Sequence, residues 1–270
     1  MTAPTLEATA APAPRTATPA AHLTFARVLR AETIKLVSLR STWWSIGITA
    51  AMSVGISALM ATASRDFPSG FPPVMAITAP MQFTMLLAGI LGAISVTGEY
   101  STGMIRSTLT AVPRRGEVLA AKAVVVGGFL AIASAIIFGA AVLATAPLLA
   151  SPIDWAEPAQ SIVPIAYSVM SMTVFALIGV GFGFILRSGA GAIAATVGLL
   201  FVLPIVVDLF RLFGPAWAWV ADLGKHLPMS AAQVLTVPGT TDPATAVLTL
   251  AGWAAVCLGG AWAVLRVRDA

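Results

Sequence analysis

Asp222, His226 and Ser230 follow one another at four-residue intervals, a spacing that stacks a carboxylate, an imidazole and a hydroxyl on one face of a helix. Those groups hydrogen-bonded in series would be hydrolase chemistry. Pro228 interrupts any regular helix through them, and no nucleophile elbow surrounds Ser230, so a triad is not supported. Gly179-Val180-Gly181-Phe182-Gly183 imitates a nucleotide fingerprint, but no strand precedes it and no polar helix start follows. Its glycines read instead as a helix-packing face. No GxxxxGK[ST] run occurs, so the chain carries no phosphate-binding loop of that type. His22 and His226 are isolated and make no metal site, and the single Cys257 rules out an internal disulfide or a thiolate cluster. Two acids stand in unusual places. Asp208 interrupts the apolar run from Ile205 to Phe210, where it is either a coupling or substrate-contacting group or the partner of Arg211 three residues on. Glu32 falls inside the apolar arc of a short basic segment. It either reaches sideways to Arg27, Lys35 or water, or points at a cation on a neighbouring element.

The composition says what must position these residues. Of 270 residues, 58% are hydrophobic and only 10% are charged, against about 25% charged in an ordinary soluble domain. Mean hydropathy is +0.93. So few charges cannot cover a water-soluble surface, which excludes a soluble enzyme, a secreted disulfide scaffold and a disordered chain. Apolar runs at 43–63, 75–96, 121–146, 163–186, 190–210 and 244–265 are each long enough to cross about 30 Å of hydrocarbon. The fold class expected is an all-α polytopic membrane protein with six transmembrane helices, in one domain from 23 to 270. Residues 1–22, rich in Ala, Thr and Pro, read as a disordered tail without a cleavable signal peptide. Six spans put both ends of the domain on one side. That side collects Arg15, Arg27, Arg30, Lys35, Arg40, Arg106, Arg114, Arg115, Lys122, Arg187, Arg266 and Arg268, against Arg65, Arg211 and Lys225 opposite. The positive-inside bias makes both termini cytoplasmic.

Three further features lie between or before the spans. In 24–40, Phe25, Val28, Leu29, Leu36 and Leu39 fall within about 100° on a helical wheel, with Arg27, Arg30, Lys35 and Ser38 mostly opposite, as in an amphipathic interfacial helix. The long loop of residues 98–120 predicts a helix over Ser101 to Val112. It groups Met104, Ile105, Thr108, Leu109, Ala111 and Val112 on one side and Arg106, Ser107 and Thr110 on the other, and stops at Pro113. Such a helix suits docking to another protein, or contact with lipid headgroups. The stretch 211–243, with Phe213, Trp217 and Trp219, is too apolar for an open loop and reads as outer re-entrant or interfacial helix. Small residues at four-residue spacing (Gly47, Ala51 and Gly55; Gly179 and Gly183; Gly191 and Ala195) predict close helix contacts.

The basic helix with Glu32-Thr33-Ile34-Lys35-Leu36 and Leu39-Arg40-Ser41-Thr42-Trp43-Trp44, the six spans, and Gly98-Glu99-Tyr100-Ser101-Thr102-Gly103-Met104-Ile105-Arg106 followed by Pro113-Arg114-Arg115 together resemble a bacterial ABC-2-type transporter permease over about 24–270. The resemblance implies the transmembrane half of an ATP-driven exporter in the bacterial plasma membrane, paired with a second identical or different half. No enzyme activity or cofactor is implied for this chain, since ATP and Mg would belong to separate ATPase subunits. Membrane lipids are further partners, and no nucleic acid is. By the resemblance, 24–40 is the elbow helix and Ser101–Val112 the coupling helix. Ser101, Met104, Ile105, Arg106, Leu109, Arg114 and Arg115 would then meet the ATPase. The outer apolar stretch would cap the exit path. Glu32 and Glu99 are expected to pair with Arg106, Arg114 or elbow cations such as Lys35, making elbow and loop one lever. Two other classes stay open: an ion-coupled carrier using Asp208, and a membrane anchor that recruits a cytoplasmic partner.

Overall fold

A computed structural model describes residues 23–66, 72–240 and 242–267; the tail expected over 1–22 lies outside them. The described residues form helices and connecting turns, with no strand among them. Six helical segments are long and apolar enough to cross a membrane: Arg40–Ala63, Pro73–Ser101, Arg115–Thr145, Ile162–Leu186, Gly189–Phe213 and Pro243–Val267. All six coincide with the apolar runs of the sequence. The second and third overrun them, so that the polar loop expected over 98–120 is largely helix.

The chain starts with α1 (Phe25–Ser38) and α2 (Arg40–Ala63), separated by one extended residue, Leu39 at φ −78° and ψ 121°. Trp43 Nε1 donates to the Val37 carbonyl at 2.8 Å, satisfying an acceptor that the end of α1 leaves without a helical partner. The second span is α3 (Pro73–Thr78) followed by α4 (Met81–Ser101). Pro80, which has no N–H and crowds the carbonyl four residues back, marks the break between them. Gly98 does not end α4, as the loop assignment assumed. The helix runs on to Thr102, whose N–H and hydroxyl both donate to the Gly98 carbonyl. Gly103 follows at φ +72°, the left-handed position that closes many helices.

The short α5 (Met104–Ala111) comes next and stops before Pro113, which biases Val112 out of the helical region. Ser101, expected at the start of this helix, instead ends α4. Then follow α6 (Arg115–Thr145), α7 (Ile162–Leu186) and α8 (Gly189–Val197), the last capped by Ser188 Oγ accepting from the Gly191 N–H. One π turn, Gly198–Val202, carries the fifth span into α9 (Leu203–Leu209). It lies just ahead of Pro204, whose ring a regular α-helix would drive against the Leu200 carbonyl. Beyond a 3₁₀ turn and Gly214 at φ +90°, α10 (Ala218–Gly224) and α11 (Pro228–Thr236) lead into α12 (Pro243–Val267).

The middle of the bundle is α7, which packs on α4, α12, α6, α8 and α11. Its Met172, Phe175, Ile178 and Phe184 are fully or almost fully buried. The α4–α7 seam is glycine-lined as the spacing of Gly179 and Gly183 predicts: a Cβ on Gly179 would overlap the Gly89 carbonyl, and one on Gly92 the Ala176 carbonyl. The other two small-residue faces behave differently. Gly47, Ala51 and Gly55 are exposed, and α2 instead buries Thr49, Ser53, Ser57 and Ala61. In α8 the buried pair is Ala192 and Thr196, one residue round from Gly191 and Ala195.

A buried four-charge cluster as candidate functional site

Helical spacing sets the cluster up. On α1, Glu32 and Lys35 are three residues apart and share a face with the buried Val28 and Leu36. Glu99 lies in the last turn of α4 and Lys122 early in α6, each on the face turned toward α1 and each almost wholly buried. Lys122 Nζ lies 2.6 Å from Glu32 Oε2 and 2.5 Å from Glu99 Oε1, and donates to the Ser95 carbonyl at 3.2 Å. Lys35 Nζ lies 2.6 Å from Glu32 Oε1 and 3.2 Å from both oxygens of Glu99. It also donates to Thr108 Oγ1 on α5 at 3.1 Å, and that hydroxyl lies 3.2 Å from Glu99 Oε2.

Two carboxylates and two ammonium groups cancel. Every carboxylate oxygen has a donor, and each ammonium has at least three acceptors. That saturation makes three buried charges and the half-buried Lys35 tolerable, because a buried ion without its partners costs several kcal/mol. Burial alone would lower the pKa of Lys35. The hydrogen bond and charge of Glu32, together with Glu99, outweigh it and hold Lys35 above the ordinary lysine value. The cluster forms the polar floor of a cleft whose apolar walls include Ile34, Leu39, Ile94 and Val125.

Of the expected cations Lys35 takes part, whereas Arg106 and Arg114 lie elsewhere. Arg106 is exposed on α5, and Arg114 pairs instead with Glu117 at 2.9 Å. The reason is positional: at Gly103 and again at Pro113 the chain turns, so α5 points Thr108 at the cluster and Arg106 away from it. Lys122, which the sequence reading places only among the positive charges of its side, is the residue that reading does not assign to the cluster. Its signal was present in the sequence, since a lysine amid Leu119-Ala120-Ala121 and Ala123-Val124-Val125 has no water to reach and needs an acid.

The remaining expected residues separate into groups. On α5, Ile105 is buried and Leu109 half-buried against Val28, Val112 and Val118, while Met104 and Arg106 are exposed. Ser101 is exposed, its Oγ donating to the Gly98 carbonyl at 3.0 Å. Arg115 Nη1 donates to the Leu265 carbonyl at 2.7 Å, tying the start of α6 to the end of α12. Asp208 pairs with Arg211 at 2.8 Å, both side chains largely exposed. Asp222 pairs with Lys225 at 2.7 Å, so the spacing Asp222, His226, Ser230 forms no triad. The hydrogen bond and charge of Lys225 hold Asp222 below the usual carboxylate range, and Arg211 adds to this. Among the described residues no group of three His, Cys, Asp or Glu side chains is placed to hold a metal. Compared with known proteins, the chain matches no family model and no curated protein.

Proposed function

We propose that this six-span chain is the membrane half of an ATP-driven transporter of the ABC-2 permease kind, in a bacterial plasma membrane with both termini in the cytoplasm. ATPase subunits carrying ATP and Mg dock on α5, and a second permease half, identical or different, completes the path. The cargo is a drug, antimicrobial, lipid-like or other small substrate moved outward. The observation that carries this reading is the four-charge cluster. It fastens α1, the end of α4, α5 and the start of α6 to one another, yet leaves Met104, Arg106, Ser107 and Thr110 exposed on α5. Force applied at that face reaches three elements together, as a lever requires. A partner that grips the exposed face differently in its open and closed states biases the tilt of the spans. On the opposite side, α10 and α11 line a cleft with α9 that suits a capped exit.

The carrier reading draws less support, because Asp208 is exposed and paired rather than buried at a midplane site. The test is a mild-detergent pull-down of the tagged chain from its native membrane beside an Arg106→Glu variant. An ATP-binding subunit recovered one-to-one with the wild type and lost from the variant is the expected result. A folded chain that brings down no ATPase overturns the proposal.

A further inference from the structure

We propose that the cleft above the charge cluster binds an uncharged amphiphile whose head carries hydroxyl groups, of the monoacylglycerol kind. The inference rests on the chain spanning a membrane and not on the transporter reading.

One extended residue, Leu39, separates α1 from α2, and the space between them, the end of α4 and the start of α6 encloses about 470 Å³. Small-molecule sites span about 300–1,000 Å³ and pair mostly apolar walls with a few placed polar groups. This cleft has that make-up. Ile34, Leu39 and Ile94 stay exposed on its walls, over a polar floor. The first span begins, the second ends and the third begins beside it. The cleft thus lies where hydrocarbon gives way to headgroups, and an acyl chain can enter it from the adjoining leaflet.

Hydrogen-bond supply selects the head. The charged residues among the described ones lining the cleft are Glu32, Lys35, Glu99 and Lys122, and all four are engaged with one another. Each ammonium already meets three acceptors and each carboxylate oxygen a donor, so a charged head would give up hydration there without gaining a counter-ion. Ser38, Ser95, Ser101 and Thr102 donate to carbonyls of their own helices at 3.1, 2.6, 3.0 and 2.9 Å, which leaves their oxygens as acceptors. Ser41, at the start of α2, adds a hydroxyl able to donate or accept. A ligand hydroxyl matches both kinds of group, whereas a carboxylate only accepts and an ammonium only donates. The apolar walls select an amphiphile over a soluble polyol.

The test is photolabelling of the full chain in lipid nanodiscs with a monoacylglycerol, a fatty acid and an alkylamine that share one diazirine-bearing chain. Mass spectrometry locates the labelled residues. Gly98→Leu and Gly128→Leu are run alongside. An added Cβ meets nothing within 4 Å at either glycine, so neither side chain starts in a clash, and of the two Gly98 lines the cleft. The monoacylglycerol should label Ile94 and Val125 saturably, about tenfold more than either charged probe does. Gly98→Leu should abolish that labelling and Gly128→Leu keep it. Equal or greater labelling of those walls by the fatty acid or the alkylamine overturns the proposal, and this comparison needs no variant to fold. Labelling that rises with probe concentration without saturating also overturns it, by showing bulk lipid at an open surface. So does unchanged labelling in Gly98→Leu.

Discussion

Lys122 on α6 holds its Nζ 2.6 Å from Oε2 of Glu32 on α1, while Glu99 on α4 takes the same ammonium from the other side. One lysine is therefore the counter-ion of two acids on two different helices. Removing it leaves Lys35 alone against two carboxylates, so one negative charge goes uncompensated. Lys122→Met should lower stability by about 3–5 kcal/mol, read by thermal unfolding in detergent. Adding Glu99→Gln to it should restore part of the loss, because one uncompensated charge goes. Wild-type melting of the single variant would mean that the cluster holds nothing together.

The alkaline limb of stability should report Lys35. Its folded pKa is raised, because Glu32 and Glu99 outweigh its burial. A raised lysine contributes stability that is fully present below the unfolded value of about 10.4 and is lost as pH rises through the folded value. The wild type should therefore lose stability more steeply above about pH 10.4 than Lys35→Gln does. Parallel profiles for the two proteins would contradict the assignment.

Thr108 is the one α5 side chain inside the cluster, hydrogen-bonded to Lys35 at 3.1 Å. Thr108→Val keeps the shape and removes that bond. The expected consequence is a looser α5, seen as faster trypsin cleavage at the exposed Arg106 with the spans still folded. An unchanged cleavage rate would show that the packing of Ile105 and Val112 alone fixes the segment.

Two glycines of equal size should answer oppositely to alanine. At Gly179 the new methyl group would overlap the Gly89 carbonyl, so α4 and α7 must part, and a loss of about 1–3 kcal/mol or more is expected. At Gly47 nothing lies within 4 Å, and Gly47→Ala should be neutral or gain up to about 1 kcal/mol. Equal melting temperatures for the two variants would refute the seam.

The six spans were legible because a membrane-length apolar run is a signal of composition alone. The glycine face of Gly179 and Gly183 was legible because close packing in lipid asks for small residues at that spacing. Spacing could not say which small-residue faces find a neighbour inside the chain, and Gly47, Ala51 and Gly55 find none. Glu32 was legible as an acid in the wrong arc, and Lys35 as one of its candidate partners. Lys122 was legible as a lysine that needs an acid, but which acids was not, because its partners come from helices whose juxtaposition only the folded bundle sets. The continuation of α4 past Gly98 was hidden by the low helix propensity of glycine, which the turns on either side overrule.

The four charges are all drawn from residues 32–122, so they leave the ribosome before α7, on which α4, α6, α8, α11 and α12 pack. The first half of the chain can thus neutralise its own buried ions once the start of α6 has emerged. The apolar face of α4, by contrast, must wait among lipids for α7 to arrive. Synthesis therefore has two unequal stages: an early electrostatic closure near one membrane surface, and a later close-packing step along the seam. A nascent chain halted between them would hold its charges satisfied and its glycines bare.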